Sequence, residues 1–221
     1  MNGITTAALF DLFHSRAGKY LEKTCYPHEA LGNIGSWILA IGEGLDAEAF
    51  DHPAPDIWIA KSATVSPGAS ITGPCIIDED TEVRHCAFIR GNALIGKGCV
   101  IGNSTELKNV ILFDGVQVPH YNYVGDAILG YKAHMGAGAI TSNVKGDRSL
   151  VVIKNGVQAI PTGRKKVGAM LGDFAEIGCG CVLNPGTVIG KNTQVYPLTS
   201  VRGVIPADSI CKDAGTVVRR K

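Results

Sequence analysis

Residues 83–107 read VRHCAFIRGNALIGKGCVIGNSTEL. Val83, Ile89, Ile95, Ile101 and Leu107 fall six apart, and Ala87, Ala93, Cys99 and Thr105 follow the first four of them at a distance of four. The same count runs back through Ile77, Ile71, Val65 and Ile59, and forward to Phe113. It returns at Leu171, Ile177, Leu183, Ile189, Val195 and Val201, with small residues four places later until Ile205 breaks that second run. A hexapeptide period is the mark of a parallel β-helix: each six residues make a short strand and a turn, and three such units close one coil of about eighteen residues. The aliphatic residue points inward and stacks on its equivalent in the next coil. The small residue fits the corner, and glycine or asparagine takes the turn positions that need positive φ. Such a prism is filled by its own side chains, so chemistry is expected on its outside, where prisms meet.

Composition narrows the choice further. The 221 residues fit one domain with an appendage or two small ones. A net charge of +1, with both signs mixed along the chain, gives no electrostatic reason to expect nucleic acid or a membrane surface as partner. No apolar run approaches a membrane span, and no signal-peptide pattern opens the chain. Seven cysteines are present. Cys75, Cys99 and Cys181 fall on the small-residue position, so they are expected as reduced, buried, structural thiols of a cytoplasmic protein.

Three segments follow from the period. Residues 1–55 do not obey it: Ala7, Ala8, Leu9, Leu12 and Phe13 have helical spacing, and a second apolar face runs from Ala30 to Ile41. This segment is expected to be a helical cap over the first coil, since solenoids need covered ends. The repeat is expected over 56–206, with a loop projecting from it at about 141–167, where the register fails. Residues 207–221 are expected as a basic tail.

The polarity that does not repeat is concentrated in GNSTELK at 102–108, VPHYNYVGD at 118–126 and HMGAGAITSN at 134–143. Arg90, Lys108 and Asp126 are spaced by eighteen, so they are expected to stack on one face, with His120 on an adjacent corner. Arginine supplies a fork and lysine a point charge for a phosphate, and histidine a base that titrates near neutrality. The remaining histidines, His14, His28, His52 and His85, are expected as surface residues.

These segments resemble the C-terminal, left-handed β-helix acetyltransferase domain of the bifunctional N-acetylglucosamine-1-phosphate uridylyltransferase/glucosamine-1-phosphate acetyltransferase family. HYNYVGDAILG matches its histidine-x-x-tyrosine-x-glycine-aspartate motif, and GAGAITSN its glycine-alanine-glycine-x-isoleucine-threonine-x-asparagine motif. The resemblance covers roughly Ile57 to Ile205. It implies His120 as the base that accepts a proton from a sugar amine attacking acetyl-CoA, and Glu106 as the carboxylate orienting it. It implies Arg90 and Lys108 as sugar-phosphate ligands, Tyr123 and Asn143 as further substrate contacts, and His134 at a position where the family has a substrate-binding asparagine. Ala137 and Cys179 would line the CoA channel. A homotrimer with active sites between prisms is implied, with Tyr121, Tyr123 and Leu129 on the exposed face it would cover. Val144 stands where the family carries tyrosine, which leaves the amino sugar open. No glycine-rich nucleotide loop precedes the repeat, so uridylyltransferase activity is not expected.

Two other readings of the same fold compete. A zinc-dependent carbonic anhydrase of this architecture needs three converging histidines, and the close histidine pair is missing from the sequence. A non-catalytic, sugar-nucleotide-binding or regulatory solenoid, partnering a separate uridylyltransferase chain, is the main alternative.

Overall fold

The computed structural model describes residues 3–220; Met1, Asn2 and Lys221, at the ends of the two terminal segments, lie outside the described residues. The chain is a left-handed parallel β-helix of about nine turns. Its first flank carries Ile57–Ala60, Cys75–Ile77, Ala93–Ile95, Ala169–Leu171, Thr187–Ile189 and Val204–Ile205. The second carries Thr64–Val65, Glu82–Val83, Val100–Asn103, Gln117–His120, His134–Met135, Glu176–Ile177, Gln194–Val195 and Ser209–Cys211. The third carries Ser70–Thr72, Phe88–Arg90, Ile140–Thr141, Val182–Leu183 and Ser200–Val201. Two long strands, Glu106–Leu112 and Tyr123–Leu129, run around the corner from the third flank to the first.

The inward columns are those of the six-residue count, with one correction. Leu112, not Phe113, pairs with Ile95 and Leu129. In both long strands the step between inward residues is five, from Leu107 to Leu112 and from Val124 to Leu129. The corner there is turned by a single left-handed residue, Asn109 (φ 54°) or Asp126 (φ 48°). Asparagine and aspartate tolerate that conformation best after glycine. Consequently Lys108 stacks on Gly125, seventeen positions on, and not on Asp126 as the count of eighteen implied. Leu129, expected on an exposed face, is a fully buried core residue. Cys75, Cys99 and Cys181 are buried at inner corner positions, and burial pushes the thiols of Cys75 and Cys99 up to about 12.

Only the last part of the N-terminal segment, Phe50–Ala54, covers the end of the solenoid, pairing antiparallel with the first strand, Ile57–Ala60; the helices before it lie along the first flank. Here the residues between the inward ones, Ile76, Leu94, Ile111, Ile128, Met170 and Val188, point outward yet are buried. The helix Ile34–Gly42 contacts the strands Cys75–Ile77, Ala93–Ile95 and Glu106–Leu112. An outward apolar column needs such a cover, because each exposed aliphatic side chain would forgo roughly 1.5–3 kcal/mol of burial. Polar anchors fix the cover lengthwise. The Arg16 guanidinium donates to the buried Asp78 carboxylate (Nη2 to Oδ1, 2.8 Å), and the Asp11 amide donates to Asp173 (2.7 Å). Arg16 is held above its usual pKa by the hydrogen bond to Asp78.

Past the second motif the period is interrupted by an insertion, but it is not a projecting loop. It contains the antiparallel hairpin Val152–Asn155/Gln158–Pro161. Val151 and Ile153 are buried, and the hairpin lies back on the later coils. Two positive-φ glycines permit the approach: a Cβ at Gly186 would stand 2.8 Å from Val151 Cγ1, and one at Gly203 2.8 Å from the Lys154 carbonyl. Beyond residue 206 the rungs continue: Ser209–Cys211 adds a parallel strand, and Val217–Arg219 turns back antiparallel on it.

Candidate functional site

The corner between the second and third flanks is turned in successive coils by one residue at positive φ: Cys86, Ser104, Tyr121, Gly138, Gly180 and Leu198. The residue before each forms the outer edge. In this column His120, Ala137 and Cys179 occupy consecutive coils. The stack is tied by backbone hydrogen bonds from Gly138 to the His120 carbonyl (3.0 Å) and from Gly180 to the Ala137 carbonyl (2.8 Å). Three residues distant in sequence thus share one edge. Their side chains are one exposed imidazole, one methyl and one exposed thiol.

Beside this edge the second flank carries Gly136 and Gly178. Gly136 and Gly178 pack so closely on the next coil that a Cβ would lie 2.7 Å from the Cys179 amide or 2.5 Å from the Pro197 nitrogen. Beside them is a shallow groove of about 210 Å³, lined by these glycines, Cys179, Pro197, His134 and Glu176 among others. His134 belongs to this flank. It stacks on Glu176, and its Nδ1 lies 2.9 Å from the Glu176 carboxylate.

The third flank, on the other side of the edge, holds the phosphate-type residues. Glu106 pairs in register with Phe88 and Tyr123, and Arg90 and Lys108 follow at the next outward position. Arg90 Nη1 donates to Glu106 Oε1 at 2.6 Å, which raises the guanidinium pKa, and it lies 5.6 Å from the Phe88 ring centroid. Glu106 therefore serves Arg90. The His120 ring makes no hydrogen bond among the described residues, to Glu106 or to any other group, so the expected orientation of the histidine by Glu106 is not formed. The Tyr123 ring folds over Gly125, where any Cβ would collide with its hydroxyl, and burial raises the phenol pKa.

The two motifs meet at the corner between the third and first flanks. Asn143 Nδ2 donates to Asp126 Oδ2 (2.6 Å) and to the Tyr123 hydroxyl (3.2 Å). Asn109 Nδ2 donates to Asp126 Oδ1 (2.9 Å) and to the Leu31 carbonyl of the N-terminal segment (3.1 Å). The motif aspartate is thus a buried corner post satisfied from both sides. The amide of Asn143 is largely engaged in holding it.

One residue escaped the sequence reading. Asn122 occupies the small inner column formed by Ala87, Thr105, Ala139 and Cys181, and it is buried. It accepts from the His120 amide (3.1 Å) and donates to the carbonyls of Gly136 (2.8 Å) and Ala139 (3.0 Å). It clips the His120 turn to the Ala137 turn. Its signal in the sequence is a polar residue on a column otherwise filled by alanine, threonine and cysteine. Among the described residues no group of three or more His, Cys, Asp or Glu side chains is placed to hold a metal ion, and no helix is long and apolar enough to cross a membrane.

A family model described as the GMPPB C-terminal domain matches residues 71–160. The chain is 30% identical over 159 residues to a bifunctional sugar-1-phosphate nucleotidylyltransferase/acetyltransferase of Sulfurisphaera tokodaii, covering 64% of this chain and 40% of that protein. It is 33% identical to a bifunctional protein GlmU of Methanococcus maripaludis, covering 66% and 40%. It is also 29% identical to a putative uncharacterized acetyltransferase, YaiX, of Escherichia coli, covering 73% and 70%. Among solved structures, the acetyltransferase domain of PglB from Neisseria gonorrhoeae in complex with acetyl coenzyme A aligns with 81% of this chain and 63% of its own at 20% identity and a TM-score of 0.38. The chain spans less than half the length of the bifunctional relatives. Its solenoid is thus related in sequence to the bifunctional sugar-1-phosphate nucleotidylyltransferase/acetyltransferases, the family that its two motifs resemble.

Proposed function

We propose that this chain is an acyl-CoA-dependent acyltransferase that N-acetylates a phosphorylated amino sugar of the glucosamine-1-phosphate type. The observation that carries the reading is the shared edge: His120, Ala137 and Cys179 stack in consecutive coils, between a glycine-lined groove and the Arg90–Lys108 flank. The groove fits the extended pantetheine chain of acetyl-CoA, with Ala137 and Cys179 as its edge. Arg90 and Lys108 hold the sugar phosphate, the first by its fork and the second as a point charge. Tyr123 and Asn143 border the sugar, and His134 borders the groove from the second flank.

The chemistry is a balanced acyl transfer. The neutral amine attacks the thioester carbonyl carbon, and a C–N bond forms. His120 takes the amine proton as positive charge develops on nitrogen. The C–S bond then breaks, and the CoA thiolate receives the proton back from the imidazolium. A positioned base of this kind contributes about 10²–10⁴-fold in rate. The assembly is proposed as a homotrimer. The first flank is occupied by the chain's own N-terminal segment, while the open edge bears exposed Tyr121 and Leu198. A neighbouring prism there would supply the second wall of the groove.

One observation favours a second reading, a non-catalytic or regulatory nucleotide-sugar-binding solenoid: among the described residues the His120 ring has no orienting carboxylate, and Glu106 is held by Arg90. A thiol-release assay with acetyl-CoA and glucosamine-1-phosphate decides between them. Turnover that is lost in His120→Ala supports the enzyme. Binding of both ligands with no thiol release supports the second reading.

A further inference from the structure

The insertion at 142–167 carries six Lys or Arg residues (145, 148, 154, 164, 165 and 166) against a single acid, Asp147. Its hairpin is not free. Val151 and Ile153 anchor it on the prism, and Gly186 and Gly203 admit it to near contact. Between the hairpin and the last coils lies a cleft of about 170 Å³. Lys145 and Lys154 line it from the insertion, and Arg202 from the corner after Ser200–Val201, together with the apolar residues Val152, Pro185 and Gly186. Among the described residues no carboxylate lines it. Lys145 reaches Asp147 (3.3 Å) and Ser149, but Lys154 and Arg202 form no ion pair among the described residues.

We propose that this cleft binds a phosphate-bearing anion, at a site separate from the His120 edge. Lys154 and Arg202 are not offset by an ion pair among the described residues, Lys145 is offset in part by Asp147, and the resulting net positive lining attracts an anion more strongly as water is excluded. Arg202 offers two parallel donors and the lysines point charges, the combination that suits phosphate oxygens. The backbone of the cleft is preorganised by the buried root of the hairpin, so the ordering cost on binding falls on the side chains that line it. Its volume accommodates a phosphate or diphosphate group and leaves any attached nucleoside outside. Two sources share that chemistry: the diphosphate of a nucleotide sugar, and the diphosphate of coenzyme A.

The test uses the full chain and pyrophosphate as probe, with affinity read by calorimetry at fixed ionic strength. Binding in the wild type should weaken about tenfold or more in Lys154→Ala and in Arg202→Ala, the loss expected for one charge-assisted contact. Lys212→Ala, an exposed cation outside the cleft, should bind as wild type. Melting curves of each variant confirm that the fold is kept. Competition by a nucleoside diphosphate or by coenzyme A then identifies the source. No pyrophosphate binding in the folded wild type, or equal weakening in Lys212→Ala, overturns the proposal.

Discussion

Two corners of the same prism have opposite characters. The corner between the third and first flanks is a closed polar post: Asp126 is buried and accepts from Asn109 and Asn143, and Asn109 also reaches the N-terminal segment. The corner between the second and third flanks is open. It holds an imidazole without a hydrogen bond among the described residues, an alanine and a free thiol, beside the glycine-lined groove. Both corners carry residues of the two motifs. A polar group whose hydrogen bonds are all made within the protein stabilises structure and has little left to offer a substrate, whereas an exposed group without partners is available for one. Hydrogen-bond accounting therefore divides the motif residues between scaffold and chemistry in a way that a motif match does not.

The sharpest way to break that comparison is a pair of alanine variants. His120→Ala should lose about 10²–10⁴-fold in turnover with an unchanged melting curve. Asp126→Ala should do the reverse, losing about 3 kcal/mol of stability, because the buried Asn109 amide and the half-buried Asn143 amide lose their acceptor and alanine must take a left-handed conformation. Chemical denaturation of both, with single-point acyl-transfer assays, reads the contrast. If His120→Ala keeps full turnover while His134→Ala loses it, the base lies on the second flank and the open edge has been assigned the wrong role.

A smaller effect is expected at Asn122, which joins the two turns of the open edge. Asn122→Thr keeps one donor, as Thr105 does in the same column with its bond to the Val118 carbonyl (2.9 Å). Stability should fall by about 1 kcal/mol, while turnover falls with little change in the KM for the amino sugar. An unchanged kcat with a lower melting temperature would make Asn122 a purely structural clip. The least disruptive change is Glu106→Gln. Its partner Arg90 is solvent-exposed, so the melting temperature should not move. The KM for the sugar phosphate should change because Arg90 is released, with kcat retained. A fall in kcat at constant KM would instead restore Glu106 to the histidine.

Much of this was legible before any coordinate. Aliphatic residues six apart, with small residues four places on, require stacked coils, and their inward direction follows from strand alternation. The columns through Ile77, Ile101 and Leu107 are found where the count put them. The slip to Leu112 was not legible, because Phe113 is also apolar and a five-residue step leaves no mark in composition. Only the left-handed Asn109 and Asp126 create it. The lateral course of the N-terminal segment was likewise hidden. Ile76, Leu94 and Ile111 sit beside inward residues and read as ordinary strand positions until something is seen to cover them.

For the site, the sequence by itself determined which residue types stand at which rung: a histidine, a basic pair, and small residues at the expected intervals. Repeats fix such spacing because each rung is a local unit with its own turn. The tertiary structure decided which of them share an edge and which are already engaged. It gathered His120, Ala137 and Cys179, moved His134 to the neighbouring flank, gave Glu106 to Arg90, and folded the basic insertion onto the last coils. Those outcomes depend on side-chain pairing and on coil length summed over several rungs. A one-residue change in any coil redirects them, and no single hexapeptide contains that information.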